Sequence, residues 1–238
     1  MDARDLMDRI YRQQRHIYDL TRKYYLLGRD ELIADLGAAQ GETVCEVGCG
    51  TARNLVKMAR AWSRADLMGL DASTEMLKTA RGKLARAELA DEVPVAHALA
   101  QDFDPVALFG LTRPLDHIVF SYSLSMIPPW RESIDHALDL VRPGGRIHIV
   151  DFGDQAGLPR WFRSVLYWWL GLFHVQFRPE LIAYLREIDA EGRAHVALKP
   201  LYRGYAFSAV LTRPEAVASG RVTVRHPTTA LPSTPVPG

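Results

Sequence analysis

The run TVCEVGCGTARN, from Thr43 to Asn54, constrains this chain more than any other stretch. A short apolar segment ends in two glycines one residue apart, and a helical pattern begins at Arg53 and runs to about Trp62. A strand that turns into a helix through glycines is the opening unit of a doubly wound α/β sheet, and its turn is where such sheets take a nucleotide-like ligand. Glycine at the turn lets backbone approach that ligand. The rest of the chain repeats the alternation. ADLMGLD, PVAHALA, LDHIVFS and RIHIVDF read as strands, the last entered through RPGG. Between them lie a helix capped by Ser73 and running to about Leu89, and the amphipathic PWRESIDHALDLV. Strands alternating with helices predict a mostly parallel sheet covered on both faces.

Beyond the fifth strand the pattern changes. LPRWFRSVLYWWLGLF and RPELIAYLREI read as inserted helices over about 158–190, and AHVALKPLY and YAFSAVLTR as a hairpin joined through Arg203 and Gly204. From Pro214 the chain is rich in Pro, Thr, Ser and Ala without periodicity, which predicts a disordered tail over 214–238. Residues 1–36 read as a helical cap and 37–213 as the principal domain. RDELIADL is a short helix after Gly28.

With 29 basic and 28 acidic side chains the formal charge is +1, so no whole-surface attraction to nucleic acid is expected and an anionic partner must be met by a local cluster. The segment ahead of the glycine loop is such a cluster. Wound as a helix it puts Tyr11, Arg15, Tyr18, Arg22 and Tyr25 on one stripe. The N-terminus has no apolar core of the signal-peptide kind, and no apolar run approaches the ~20 residues that span a bilayer, so a cytoplasmic protein is expected. Cys45 and Cys49, the two cysteines, fit neither a common zinc arrangement nor a disulfide framework and read as packing residues. No metal is expected. His97, His117, His136, His148 and His195 read as hydrogen-bonded structural histidines.

A dinucleotide fingerprint would place a third glycine where Arg53 stands, which argues against NAD or FAD. The loop instead resembles motif I of class I S-adenosylmethionine-dependent methyltransferases, with Glu46, Gly48 and Gly50 in place and Ala52 departing at the last position. The resemblance implies a seven-stranded Rossmann-like sheet and S-adenosylmethionine as cofactor. By the same resemblance Asp71, with Ala72 behind it, receives the ribose hydroxyls, a task suited to a carboxylate's several acceptor sites. Met76 touches ribose or adenine, and Asp102 and Phe103 meet the adenine. Ser121 and Tyr122, ending the fourth strand, stand where this fold presents the acceptor to the methyl group. Arg29 is placed for the cofactor's carboxylate.

HIYDLTRKYYLLGRDELI, EVGCGTARN, FSYSLSMIP and FHVQFRPELIAYL resemble a narrower family, the bacterial N-methyltransferases that convert diacylglyceryl homoserine into its trimethylated betaine lipid. This implies three methylations of one lipid head-group amine at the inner face of the cytoplasmic membrane. Tyr18 and Tyr25, with Tyr24, would then wall the site, and Arg15, Arg22 and Lys23 would face an anionic substrate or surface. In the insert, Arg160 and Arg163 lie on a narrow polar stripe, whereas Trp161 belongs to a wide apolar arc suited to a membrane interface or to a buried lid. Alternative acceptors are phosphatidylethanolamine or a small soluble amine, and the alternative of another class is a non-catalytic adenosylmethionine-binding module.

Overall fold

The computed structural model describes residues 26–171 and 178–215. Tyr18, Tyr24, Tyr25, Arg15, Arg22 and Lys23, most of the expected cap and nearly all of the expected tail lie outside the described residues. In chain order the elements are α1 (Arg29–Ala34), β1 (Thr43–Val47), α2 (Arg53–Ala61), β2 (Asp66–Asp71), α3 (Thr74–Arg86), β3 (Val95–His97), α4 (Pro105–Phe109) and β4 (Leu115–Ser121). They continue with α5 (Trp130–Leu140), β5 (Val141–Phe152), α6 (Arg160–Gly171), α7 (Pro179–Ala190), β6 (His195–Leu201) and β7 (Ala206–Thr212).

The seven strands form one sheet in the order β3-β2-β1-β4-β5-β7-β6. The pairs among the first five strands are parallel, and β7 runs antiparallel between β5 and β6. The order reverses beside β1, which puts a crevice outside the carboxyl ends of β1 and β4.

Period-two alternation distributes the core. Val44, Leu67, Val119 and Val150 pack on one face with Leu55 and Met58 of α2, Leu77 and Leu84 of α3, and Leu166 of α6. Their neighbours Cys45, Met68, Phe120 and Ile149 pack on the other with Ile134 of α5 and Leu185 of α7. Both cysteines are buried free thiols, and burial pushes both up, so their reading as packing residues holds. Gly69 lets α2 and the loop after β1 pack closely on β2, since a Cβ there would meet Leu55 at 2.7 Å and Cys49 at 3.0 Å.

Ser73 caps α3 as expected, its Oγ accepting the Met76 amide, although the helix stops at Arg86 rather than near Leu89. Helix α4 was not read from the sequence, yet its signal is present: Asp104 caps it and Pro105 starts it. The chain turns between β6 and β7 through Arg203 and Gly204, with φ of 59° and 81°. His136 donates to the Phe103 carbonyl, and His117 bridges His148 and Glu42. Burial lowers His148 to about 3, so it is neutral. His195 differs from the expectation. It is an exposed residue beside Asp189, because edge strand β6 turns it to solvent.

The opposite end of the sheet is closed by charge. Asp116, at the start of β4, accepts from the Thr43 amide at 2.9 Å, from Arg142 Nε at 2.6 Å and from Arg113 Nη1 at 2.5 Å. Burial would raise this carboxyl, but the Thr43 and arginine hydrogen bonds outweigh it and hold it at about 2. A depressed carboxylate stabilises the fold at pH above its unfolded value, and that contribution is lost as pH falls through about 2. Asp116→Asn should therefore cost about 1–2 kcal/mol at pH 7, after allowance for screening at the half-exposed arginines, and almost nothing near pH 2. Urea denaturation at the two pH values checks this.

Candidate functional site

At the carboxyl end of β1 the backbone leaves the sheet through Gly48, Cys49 and Gly50 and enters α2 at Arg53. Gly48 has a φ of 76°, and a Cβ there would meet the Ser123 Cβ at 2.7 Å, so the loop can lie against the turn after β4 only without a side chain. The Gly48 and Cys49 amides donate to the Leu70 carbonyl, and the Gly50 amide donates to Asp71 Oδ2 at 2.8 Å. Asp71 Oδ1 accepts from the Ser73 amide at 2.8 Å. One carboxylate thus ties the loop after β1 to the turn after β2.

Glu46 is buried on the α2 side of the sheet, where its Oε1 accepts from Asn54 Nδ2 at 2.7 Å. Arg53 Nη1 donates to Asn54 Oδ1 at 3.1 Å. Lys83, reaching over from α3, donates to Thr51 Oγ1 at 2.8 Å. Arg29 is buried, and its Nε donates to the Leu26 carbonyl. These residues, with Gly48, Cys49, Gly50 and Ser121, line a cleft of about 210 Å³. Three cations, Arg29, Arg53 and Lys83, stand around one buried carboxylate, Glu46. Such a wall suits a ligand that carries an anionic group at this end.

The expected residues fall into three groups. Arg29, Glu46, Gly48, Gly50 and Ser121 share the cleft, and Asp71 borders it through Gly50. Asp102 and Phe103 lie in a second cleft beyond β3, with His97, whose Nε2 donates to the Ala72 carbonyl. Phe103 is buried and Asp102 exposed. Met76 is buried in the core beneath α3, and its amide is the one capped by Ser73. Tyr122 reaches the right end of the sheet but faces inwards. Its hydroxyl donates to the Leu27 carbonyl at 2.6 Å and its ring meets Phe152 edge-on, so it anchors the chain entering α1. Burial pushes its phenol well up, which keeps it neutral.

The sequence reading missed Thr51, Asn54 and Lys83. Asn54 was legible, since it stands on the first turn of α2 over the buried Glu46. Lys83 carried no local signal, because only the docking of α3 on the loop brings it there.

Seven strands in this order, with an acid-and-glycine loop after β1 and an acid ending β2, have the Rossmann-like fold of class I methyltransferases. A family model described as a methyltransferase domain matches residues 45–147. The chain is 29% identical over 181 residues to a demethylmenaquinone methyltransferase of Beutenbergia cavernae, covering 71% of this chain and 69% of that one. It is 26% identical over 143 residues to the enzyme of the same name from Listeria monocytogenes, covering 60% of this chain and 57% of that relative's length. Among solved structures, the S-adenosylmethionine-dependent methyltransferase SibL superposes with a TM-score of 0.64 at 21% identity, covering 84% of this chain and 58% of that one. A Haemonchus contortus phosphoethanolamine N-methyltransferase superposes with a TM-score of 0.61 at 14% identity, covering 79% of this chain and 52% of that one.

Ala52, where the motif's last glycine would stand, adopts φ 60° and ψ 25°, a left-handed conformation that strains an alanine by about 1–2 kcal/mol. Ala52→Gly should relieve more than it adds in unfolded-chain entropy and stabilise the protein by about 0.5–1 kcal/mol. A lower urea midpoint for this variant would mean that Ala52 rests there without strain.

Proposed function

We propose that this domain transfers methyl groups from S-adenosylmethionine to the amino group of a lipid head group, with diacylglyceryl homoserine as the leading acceptor. The observation that carries the methyl-transfer reading is the loop pinned by Asp71, with the cations of Arg29, Arg53 and Lys83 around the same cleft. The residues present fit the cofactor. Gly48 and Gly50 put no side chain in the way of a ligand, the cation wall suits an amino-acid carboxylate, and the Asp71 carboxylate has the chemistry to accept from a vicinal diol.

Bound there, the cofactor supplies an electrophilic methyl on a sulfonium. The protein's contribution is to hold the acceptor in line and keep water out. An amine must lose a proton before it can attack, since an ammonium has no lone pair. The nitrogen then forms a bond to the methyl carbon as the carbon–sulfur bond breaks, and the electron pair stays on sulfur. Ser121 Oγ is buried, lines the cleft and has no hydrogen-bond partner among the described residues, which makes it a positioned hydroxyl for cofactor or acceptor.

The lipid part of the reading rests on the resemblance of the N-terminal and insert segments and on α6. That helix buries Leu166 but leaves Trp161 70% and Val165 57% exposed, one turn apart, beside the exposed Arg160. Such a face suits the boundary between head groups and acyl chains. No helix among the described residues is long and apolar enough to cross a membrane, so contact would be peripheral. A second reading, methylation of a quinone-type lipid, is favoured by the names of the curated relatives.

Offering labelled cofactor with diacylglyceryl homoserine, phosphatidylethanolamine, a lipid-free homoserine derivative and a demethylmenaquinol separates these readings. Product masses higher by one, two and three methyl units on the homoserine lipid support the proposal. A single gain on the quinol alone supports the second reading, and cofactor binding without turnover supports a binding module. Asp71→Ala should weaken calorimetric cofactor affinity by about 10–100-fold, the loss of charged hydrogen bonds. Trp161→Ser combined with Val165→Ser should reduce sedimentation with anionic vesicles several-fold while leaving cofactor affinity unchanged, and equal sedimentation would remove α6 from the membrane contact.

A further inference from the structure

Beyond the adenosyl cleft, the same end of the sheet holds two opposite charges that do not pair with each other. Asp151, near the end of β5, is 1% exposed, and its carboxylate accepts from the Ser125 amide at 3.0 Å and from its own neighbour's amide, Phe152, at 2.8 Å. Arg178, leading into α7, is half-buried and close enough for its charge to act on Asp151, yet among the described residues no hydrogen bond or ion pair joins the two. Arg178 Nη2 donates to the Ile127 carbonyl at 3.2 Å, and its Nε is buried with no partner among the described residues. Gln155, four residues after Asp151, is fully buried, and among the described residues neither atom of its side-chain amide has a hydrogen-bond partner. Leaving the Gln155 side-chain amide and the Arg178 Nε unsatisfied in the interior costs stability that a fold alone has no reason to give up.

This region adjoins the cleft. Ser123, whose buried Oγ lacks a partner among the described residues, is the side chain that lies against Gly48, and two residues on, Ser125 gives its amide to Asp151. Tyr122 lies within electrostatic reach of both Arg29, in the cleft wall, and Asp151.

We propose that Asp151 and Arg178 are the two poles of the acceptor subsite, Asp151 holding the amine and Arg178 the carboxylate of the same zwitterionic head. The inference rests on the amine-methylation reading above and narrows it to acceptors of the α-amino-acid type. A zwitterion lying between the two side chains satisfies both charges at once, whereas an amine without a neighbouring anion leaves Arg178 unanswered. Asp151 takes up the proton that the ammonium must release before its nitrogen attacks, and returns it to solvent before the next round. Burial pushes Asp151 up to about 6, which narrows its distance from an amine and favours that transfer. Of the groups facing it, Arg178 is cationic and Tyr122 stays neutral, and Glu180 in turn faces Arg178.

The test compares two acceptors on the full chain: diacylglyceryl homoserine and the same lipid lacking its carboxylate. The wild type should prefer the first by about tenfold or more in kcat/KM, as expected for one charged hydrogen bond. Arg178→Gln should remove the preference by raising KM for the carboxylate-bearing lipid alone. Asp151→Asn should lower kcat on both and abolish the decline in wild-type activity as pH falls through about 6. Calorimetric cofactor affinity should be unchanged in both variants, and the substrate preference of Arg178→Gln carries the test alone should Asp151→Asn fail to fold. Equal use of the two lipids by the wild type, or a preference that survives in Arg178→Gln, overturns the subsite. Failure of the wild type to methylate any amine overturns instead the reading on which it rests.

Discussion

Much of the structure depends on where one carboxylate sits. Asp71 ends β2 buried to 9% exposure, yet both its oxygens are engaged by amides that the fold would otherwise leave in the crevice, those of Gly50 and Ser73. The Gly50 bond holds the loop after β1 in its left-handed turn, and the Ser73 bond fixes the turn whose next step is the cap of α3. A hydrogen bond to an ionised group is worth about 1.5–3 kcal/mol, enough to offset the strain of Ala52. One residue thus holds both turns at this end of the sheet, and the proposed function gives the same residue the ribose of the cofactor.

The two ends of the sheet are built to opposite ends. At the amino ends of β1 and β4, Asp116, Thr43, Arg142, Glu42, His117 and His148 saturate one another, with neutral His148 completing the network from β5. At the carboxyl ends, the hydroxyls of Ser121 and Ser123, the Gln155 amide and the Arg178 Nε stand unanswered within the described residues. A satisfied network resists rearrangement, and an unsatisfied one is a place where a ligand can contribute energy. The asymmetry follows from topology, because the strand order reverses beside β1 and opens the sheet only at that end.

What the sequence disclosed and what it withheld follow from the range of the interactions concerned. Strand and helix positions were legible wherever apolar periodicity is local, as in Leu115–Ser121, and so was the capping by Ser73. The loop residues were legible because their spacing is itself the signal. The rotation of Tyr122 was not legible, since position at the end of β4 says nothing about it, and its side chain turns towards Leu27 and Phe152. Lys83, Asp151 and Arg178 were passed over for the same reason. Each reaches its neighbours only through packing between elements distant in sequence.

The Asp71-pinned loop bounds a cleft in a Rossmann-like methyltransferase fold, and α6 exposes a tryptophan; the proposed methyl transfer to a lipid-borne amine rests on both. The most direct test is a crystal structure with S-adenosylhomocysteine bound. The account predicts both ribose hydroxyls on the Asp71 carboxylate and the amino-acid carboxylate among Arg29, Arg53 and Lys83. A ligand seated elsewhere, or a loop that excludes it while Asp71 stays bound only to Gly50 and Ser73, would contradict it.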